Sequence, residues 1–212
     1  MEKIQNAAGK KILLKMVEVI QKNKNYLGNI DGLIGDGDHG MNMNKGFTMF
    51  KERYSETEFG LTEGLENLGM LLFEEIGGSM GPIYGTIFTD MAEAGEAFHE
   101  IGSNELSQML HGGQDGLYDI IEARPGDKTL VDTLAPAIEA FDSAVKNGSS
   151  FQEALEKMKT AAEAGRDSTK DLVAKFGRSS RLGQRSKGVL DAGATSCCLL
   201  LEALADGIIE QL

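Results

Sequence analysis

Between positions 31 and 40 the chain reads Asp-Gly-Leu-Ile-Gly-Asp-Gly-Asp-His-Gly. Three carboxylates, Asp31, Asp36 and Asp38, fall within eight positions, and interleaved glycines allow a tight backbone around them. Gly35-x-Gly37-x-x-Gly40 formally matches a dinucleotide fingerprint, but that motif needs a preceding strand, and here an amphipathic helical pattern precedes it. Asp36 and Asp38 would also face a pyrophosphate, where like charges at ~4 Å repel by several kcal/mol. A calcium loop counted from Asp36 fails too. Its fifth position is Gly40 and its twelfth is Phe47, where an oxygen ligand and a bidentate glutamate are needed. No glycine loop is followed by Gly-Lys-Ser/Thr, so there is no P-loop. Two readings remain open: a hard-cation site suited to magnesium, which takes few carboxylates and completes its shell with water and phosphate oxygens, and a solvated acidic turn.

Three other stretches carry chemistry only in combination. Gly77-Gly78-Ser79-Met80-Gly81-Pro82 puts small residues and free N–H groups at a helix start, as either a phosphate cradle or a sharp turn capped by Ser79. Gly126-Asp127-Lys128-Thr129 invites the same pair of readings, with Asp127 most simply an N-cap and Lys128 a solvated first-turn residue. From Leu172 to Leu190 there are five cations, Lys175, Arg178, Arg181, Arg185 and Lys187, and no acid. Glycines and serines predict a mobile segment that closes on phosphate, docks an acidic partner, or is simply a solvated loop. Asp191 then opens the last helix as an N-cap or as an acceptor for a ligand hydroxyl or amine. His39 adjoins the aspartates and can hydrogen-bond a phosphate. His99 and His111 are assigned no chemistry.

These residues must be positioned by helices. Apolar residues recur at helical spacing, with Leu13, Val17 and Ile20 in one segment and Leu130, Leu134, Ile138, Phe141 and Val145 in another, and no sustained period-2 alternation is present. The patterns predict about eight helices, at 3–24, 40–54, 61–77, 82–98, 104–122, 128–147, 151–173 and 193–210. Ser150-Phe151-Gln152-Glu153 is a capping box, Ser103 is expected to play a similar part, and Pro82 falls where a first turn tolerates it. Short connections favour antiparallel neighbours. The 212 residues, 41% of them hydrophobic, are expected to form one domain spanning 1–212. A net charge of -12 argues against nucleic-acid or anionic-membrane partners. No apolar run approaches the ~20 residues of a membrane span and the start lacks a signal-peptide pattern, so a cytoplasmic location is expected. Cys197 and Cys198 are adjacent, which precludes a normal disulfide and predicts small buried hydrophobes.

Four stretches together, 34–44, 77–82, 125–129 and 177–196, resemble in order the L family of phosphotransferase-system dihydroxyacetone kinases. The resemblance covers essentially the whole chain. It implies an all-α fold, an antiparallel barrel of about eight amphipathic helices with a nucleotide site at one rim. It implies that Asp31, Asp36 and Asp38 bind two magnesium ions bridging the phosphates of ADP or ATP. His39, Gly40, Met41 and Asn42 fall at nucleotide-contacting positions, as do Gly78, Ser79 and Met80. So do Thr129, Leu130, Arg178, Asp191, Ala192 and Gly193, with Arg178 as the catalytic, phosphate-facing cation. The chain departs from the common family pattern at Gly37, where alanine is frequent, at Ser79-Met80 before Gly81, where Gly-Ala-Ser-Gly-Pro is frequent, and at Ala192, where proline is frequent. The family works with a K subunit that holds dihydroxyacetone covalently through a histidine, and an M subunit that passes phosphate from the phosphoenolpyruvate relay to ADP. The nucleotide stays bound as a cofactor. Two alternatives stay open: an ATP-exchanging kinase module for another ketose or an acyl substrate, and a nucleotide-state regulator of a transcription factor.

Overall fold

The apolar stripes seen in the sequence close into a ring of helices in the computed structural model, which describes residues 2–212. The eight α-helices are α1 (Lys10–Ile34), α2 (His39–Tyr54), α3 (Leu61–Glu75), α4 (Met80–Gly95), α5 (Ser103–Ile120), α6 (Val131–Lys146), α7 (Phe151–Ser168) and α8 (Ala192–Ile209). Each packs on its neighbours in the chain, and α8 returns to α1, which closes the barrel. An apolar cavity of about 30 Å³ lies inside the ring, and Met16, Leu65, Ile87, Leu110, Leu134 and Leu200 line it from six different helices. The side chains thus meet across the middle and leave room for about one water-sized body.

The largest departure from the expected elements decides where the site lies. The first helix does not stop at 24 but runs on to Ile34. Asn23, Asn25, Gly28 and Gly32 read as weak helix formers, yet Leu27, Ile30 and Ile34 extend the buried face by two more turns. Tertiary burial overrides local preference. Only four residues, 35–38, then separate α1 from α2, so Asp31 sits on a helix rather than in a loop. Gly40, at the start of α2, lies directly against α1. A Cβ there would run into the Lys24 carbonyl oxygen and stand 2.5 Å from the Gly28 amide nitrogen.

The other corrections are local. Residues 3–9 are not part of the α-helix. Ile4–Gln5 (β1) pairs antiparallel with Glu100–Ile101 (β2), and a 3-10 turn at Asn6–Ala8 leads into α1. Asn6 holds this corner by donating to the Phe98 carbonyl at 2.7 Å and to Thr62 Oγ1 at 3.0 Å. Gly102 rather than Ser103 caps α5, with Glu105 accepting its N–H at 3.0 Å. The capping box at Ser150 and Glu153 forms as expected, and Cys197 and Cys198 are free and buried. By length and composition α8 passes as a membrane span, with a mean hydropathy of 1.5, but 72% of it is buried inside the barrel, so its apolarity is satisfied by the core.

The α1–α2 contact yields a prediction. Gly40→Ala places its methyl into backbone that cannot retreat, and should cost at least about 2–3 kcal/mol in urea unfolding. Gly77→Ala, where nothing lies within 4 Å of the new methyl, should stay within about 0.5 kcal/mol of the parent. Equal midpoints for Gly40→Ala and the parent would show that the two helices are not in contact there.

Candidate functional site

Because α1 continues to Ile34, the carboxylate of Asp31 reaches the short loop that holds Asp36 and the N-terminus of α2 that follows Asp38. One oxygen from each of the three carboxylates lies within 4.8 Å of the others. Local backbone explains this convergence. The Gly35 N–H donates to the Asp31 carbonyl at 2.5 Å, and a Cβ at Gly35 would collide with the Asp31 carboxylate. Gly37 has φ +80, in the left-handed region that favours glycine. The His39 N–H donates to Asp31 Oδ2 at 3.2 Å, so the first turn of α2 helps to hold the charge.

Burial pushes the Asp38 carboxyl above the ordinary carboxylate range, and the neighbouring Asp36 and Asp31 add to the shift, while Arg178 opposes it. At this spacing each pair of charges repels by about 3–4 kcal/mol for an effective dielectric near 20. Arg178 offsets part of the repulsion through an ion pair with Asp36. Three hard oxygen donors, partly open to solvent and beside a cation suited to phosphate, are the donor set that magnesium takes when phosphate completes its shell.

The basic segment, expected as a loop without regular structure, carries regular turns. Arg178–Ser186 forms 3-10 turns with a kink at Gly183, which has φ +52. Ser186 Oγ accepts from the Ala174 N–H at 2.9 Å, and the Gly188 N–H donates to the Lys170 carbonyl at 2.8 Å. The Lys175 N–H donates to the Asp127 carbonyl at 3.1 Å, while its ammonium pairs with the Asp127 carboxylate at 2.6 Å. Asp127 is therefore not a helix cap. Lys175, together with the Arg124 N–H, holds its carboxyl below the usual range. Leu130 begins α6 without a side-chain cap, and Asp132 in the first turn reaches back to fix the preceding loop, accepting from the Gly126 N–H at 2.5 Å and the Thr129 N–H at 2.8 Å. Lys128 is not solvated either, being 1% exposed.

The start of α8 faces the same space. Asp191 caps the helix by accepting from the Ala194 N–H at 2.8 Å, as expected. Gly193 packs against Leu130, where a Cβ would lie 3.6 Å from the Leu130 amide nitrogen. His39 Nε2 is 2.8 Å from Ser196 Oγ, and Ser196 Oγ is 2.6 Å from the Tyr84 hydroxyl. Tyr84 lies one turn inside α4, so the chain of hydroxyls also brings the Gly78–Met80 turn to this end of the barrel. Burial lowers the proton affinity of His39, which favours the neutral imidazole. Its Nε2 is committed to Ser196, leaving Nδ1 for a ligand. Ser79 is exposed and makes no cap hydrogen bond, Met80 is buried, and Met41 is 60% exposed beside the aspartates. Asn42 is half-buried in the first turn of α2, Thr129 N–H is taken by Asp132, and Ala192 is buried. Sequence reasoning missed Tyr84, Ser196, Thr169 and the burial of Lys128. Asp132 alone left a readable trace, the Thr-x-x-Asp pattern from 129 to 132.

Residues 33–206 match the model of the DAK2 domain. The chain belongs to that family. It is 37% identical over 196 residues to the ADP-binding subunit of phosphoenolpyruvate-dependent dihydroxyacetone kinase from Escherichia coli, covering 91% of this chain and 92% of that one. It is 36% identical over 188 residues to the ADP-binding subunit of phosphoenolpyruvate-dependent dihydroxyacetone kinase 1 from Listeria innocua, covering 88% of this chain and 89% of that one. A D-erythrulose kinase of Mycolicibacterium smegmatis matches at 32% identity over 90% of this chain, but this chain spans only 33% of that protein. The crystal structure of the C. freundii dihydroxyacetone kinase in complex with AMP-PNP and Mg²⁺ superposes with a TM-score of 0.69 at 22% identity, over 97% of this chain and 35% of that one. That likeness establishes the helical-barrel fold. The relatives are named as kinases or kinase subunits, which makes the DAK2 domain a phosphotransferase module.

Burial pushes the Asp191 carboxyl up to about 6, against the pull of the Ala194 N–H and Lys128. The folded protein therefore binds more protons than the unfolded chain between about pH 4 and about pH 6, and this contribution makes stability fall as pH rises through that window. Asp191→Asn keeps a capping acceptor and removes the titration. Its urea midpoint should decline less than the parent's from pH 4 to 6.5, and parallel profiles would refute the assignment.

Proposed function

We propose that this chain is the nucleotide-carrying subunit of a phosphoenolpyruvate-dependent dihydroxyacetone kinase, holding ADP or ATP at the barrel rim through two magnesium ions. One observation carries the reading: three carboxylates converge within 4.8 Å beside a cation, on the wall formed by the starts of α2 and α8. The names of the relatives that match at both chain lengths support it.

Asp31, Asp36 and Asp38 would hold the metal. Bound there, magnesium would supply positive charge to offset that of the phosphates. Arg178 balances Asp36 in the free protein and turns its guanidinium to the transferring phosphoryl group once nucleotide is present. His39 Nδ1 donates to a phosphate oxygen, because Ser196 fixes the ring. The Ser79–Met80 and Thr129–Leu130 segments, with Asp191 and Gly193, form the wall against the nucleoside, and Asp191 accepts from its hydroxyl or amine. Catalysis by this chain is then positional and electrostatic. The acid–base chemistry on dihydroxyacetone belongs to the K subunit, and the M subunit recharges ADP in the cytoplasm. The erythrulose kinases among the relatives favour a second reading for the substrate alone, in which the same module serves a different ketose held by its partner.

Asp36→Asn should keep the helical circular-dichroism spectrum while weakening magnesium-dependent ADP binding by about tenfold or more in calorimetry. Unchanged affinity would sink the metal assignment. Arg178→Gln should bind MgADP within about tenfold of the parent, yet lower turnover with the partner subunits by about a hundredfold or more. Normal turnover would remove Arg178 from the catalytic role.

A further inference from the structure

Lys128 combines two unfavourable features at one position. It is 1% exposed, although lysine is almost never fully buried without a partner. Its backbone has φ +61, where side chains other than glycine are strained. Such a residue persists only where its surroundings over-determine it. The partners are main-chain carbonyls from two separate segments. Nζ donates to the carbonyl of Thr169, at the end of α7, and to the carbonyl of Val189 at 2.5 Å, two residues before Asp191. Thr169 is itself 0% exposed, and its Oγ1 accepts the Asp191 N–H at 3.0 Å. Asp191 in turn caps α8. Lys128, Thr169 and Asp191 thus form a buckle between the segment carrying Thr129 and Leu130 and the one carrying Asp191 and Gly193.

We infer that Lys128 is a positioning residue, whose ammonium fixes the 189–193 segment against Leu130 so that this wall of the site is formed before nucleotide arrives. The inference rests on the reading of the site as a nucleotide site. Carbonyl acceptors explain why a cation is used here. An ammonium supplies three donors from one point and can tie two chain segments at once, which a neutral side chain of this length cannot do. Lys128 touches no reacting atom. Its effect reaches the ligand through Val189, Thr169 and Asp191.

The test compares Lys128→Met, of similar length and neutral, with the parent chain. Hydrogen exchange in the free protein reads the buckle directly. Amides of 187–194 should exchange about tenfold faster or more in Lys128→Met, while those of α2–α5 stay unchanged. Calorimetry should show MgADP affinity reduced by about tenfold or more, with the helical circular-dichroism spectrum retained. Unaltered exchange at 187–194, acceleration spread evenly over all helices, or unaltered MgADP affinity overturns the inference. If the parent itself fails to bind MgADP while exchange changes locally, the nucleotide reading fails and the buckle remains as a fact of the fold alone. Should Lys128→Met not fold, Thr169→Val removes the hydroxyl that receives the Asp191 N–H and donates to the Arg166 carbonyl, and the same two readouts decide.

Discussion

Mutual repulsion among three converging carboxylates is the constraint that the rest of this structure answers. Asp31 lies in the last turn of α1, where the helix dipole is already negative, so its position is unfavourable on two counts. Asp36 and Asp38 follow within a few ångströms. Nothing in the packing of a helical barrel demands this arrangement, and an ordinary turn would separate the charges. The free protein tolerates it through Arg178 on Asp36, the N-terminus of α2 facing Asp31, and a raised proton affinity at Asp38. Each of these relieves part of the field and none removes it. The end of the barrel therefore keeps an excess of negative charge.

The convergence also depends on how closely α1 and α2 approach. Gly28 and Gly40 let the two backbones meet, and that contact sets the direction in which the four-residue connection must turn. A helix that ended near residue 24 would have left Asp31 in a long loop with no defined orientation. Packing of Leu27, Ile30 and Ile34 into the core therefore sets the direction of Asp31 as well as adding stability, since that carboxylate sits between them. The same logic applies across the barrel end, where the His39–Ser196–Tyr84 chain joins α2, α8 and α4 into one wall.

What could be read from sequence follows the range of the interaction. The aspartate cluster, the Ser150 capping box and the Asp191 cap are short-range patterns, and all three appear where expected. The helix count was equally legible, because amphipathic periodicity is local. Long-range features were not. His39 and Ser196 are 157 positions apart, and Tyr84 and Ser196 are 112 apart, so no spacing rule joins them. Lys128 was read as solvated because lysine usually is, and its burial is decided by carbonyls 41 and 61 positions away. The extension of α1 was hidden by Asn and Gly residues whose local cost is outweighed by tertiary contacts.

The turns of the basic segment show which forces carry the site. The Arg178–Asp36 pair is open to solvent on the arginine side, and exposed ion pairs contribute only about 0–1 kcal/mol. It cannot hold nine residues of 3-10 structure in place. That work falls to buried or backbone contacts: Ser186 with the Ala174 N–H, the Gly188 N–H with the Lys170 carbonyl, and the Lys175 N–H with the Asp127 carbonyl. The segment is thus anchored at its ends by hydrogen bonds that do not involve the aspartate cluster. Arg178 meets Asp36 apart from these anchors, in a contact that can be exchanged at little cost. A guanidinium on a segment with independent anchors, and bound only weakly to Asp36, can leave that carboxylate without the segment having to refold.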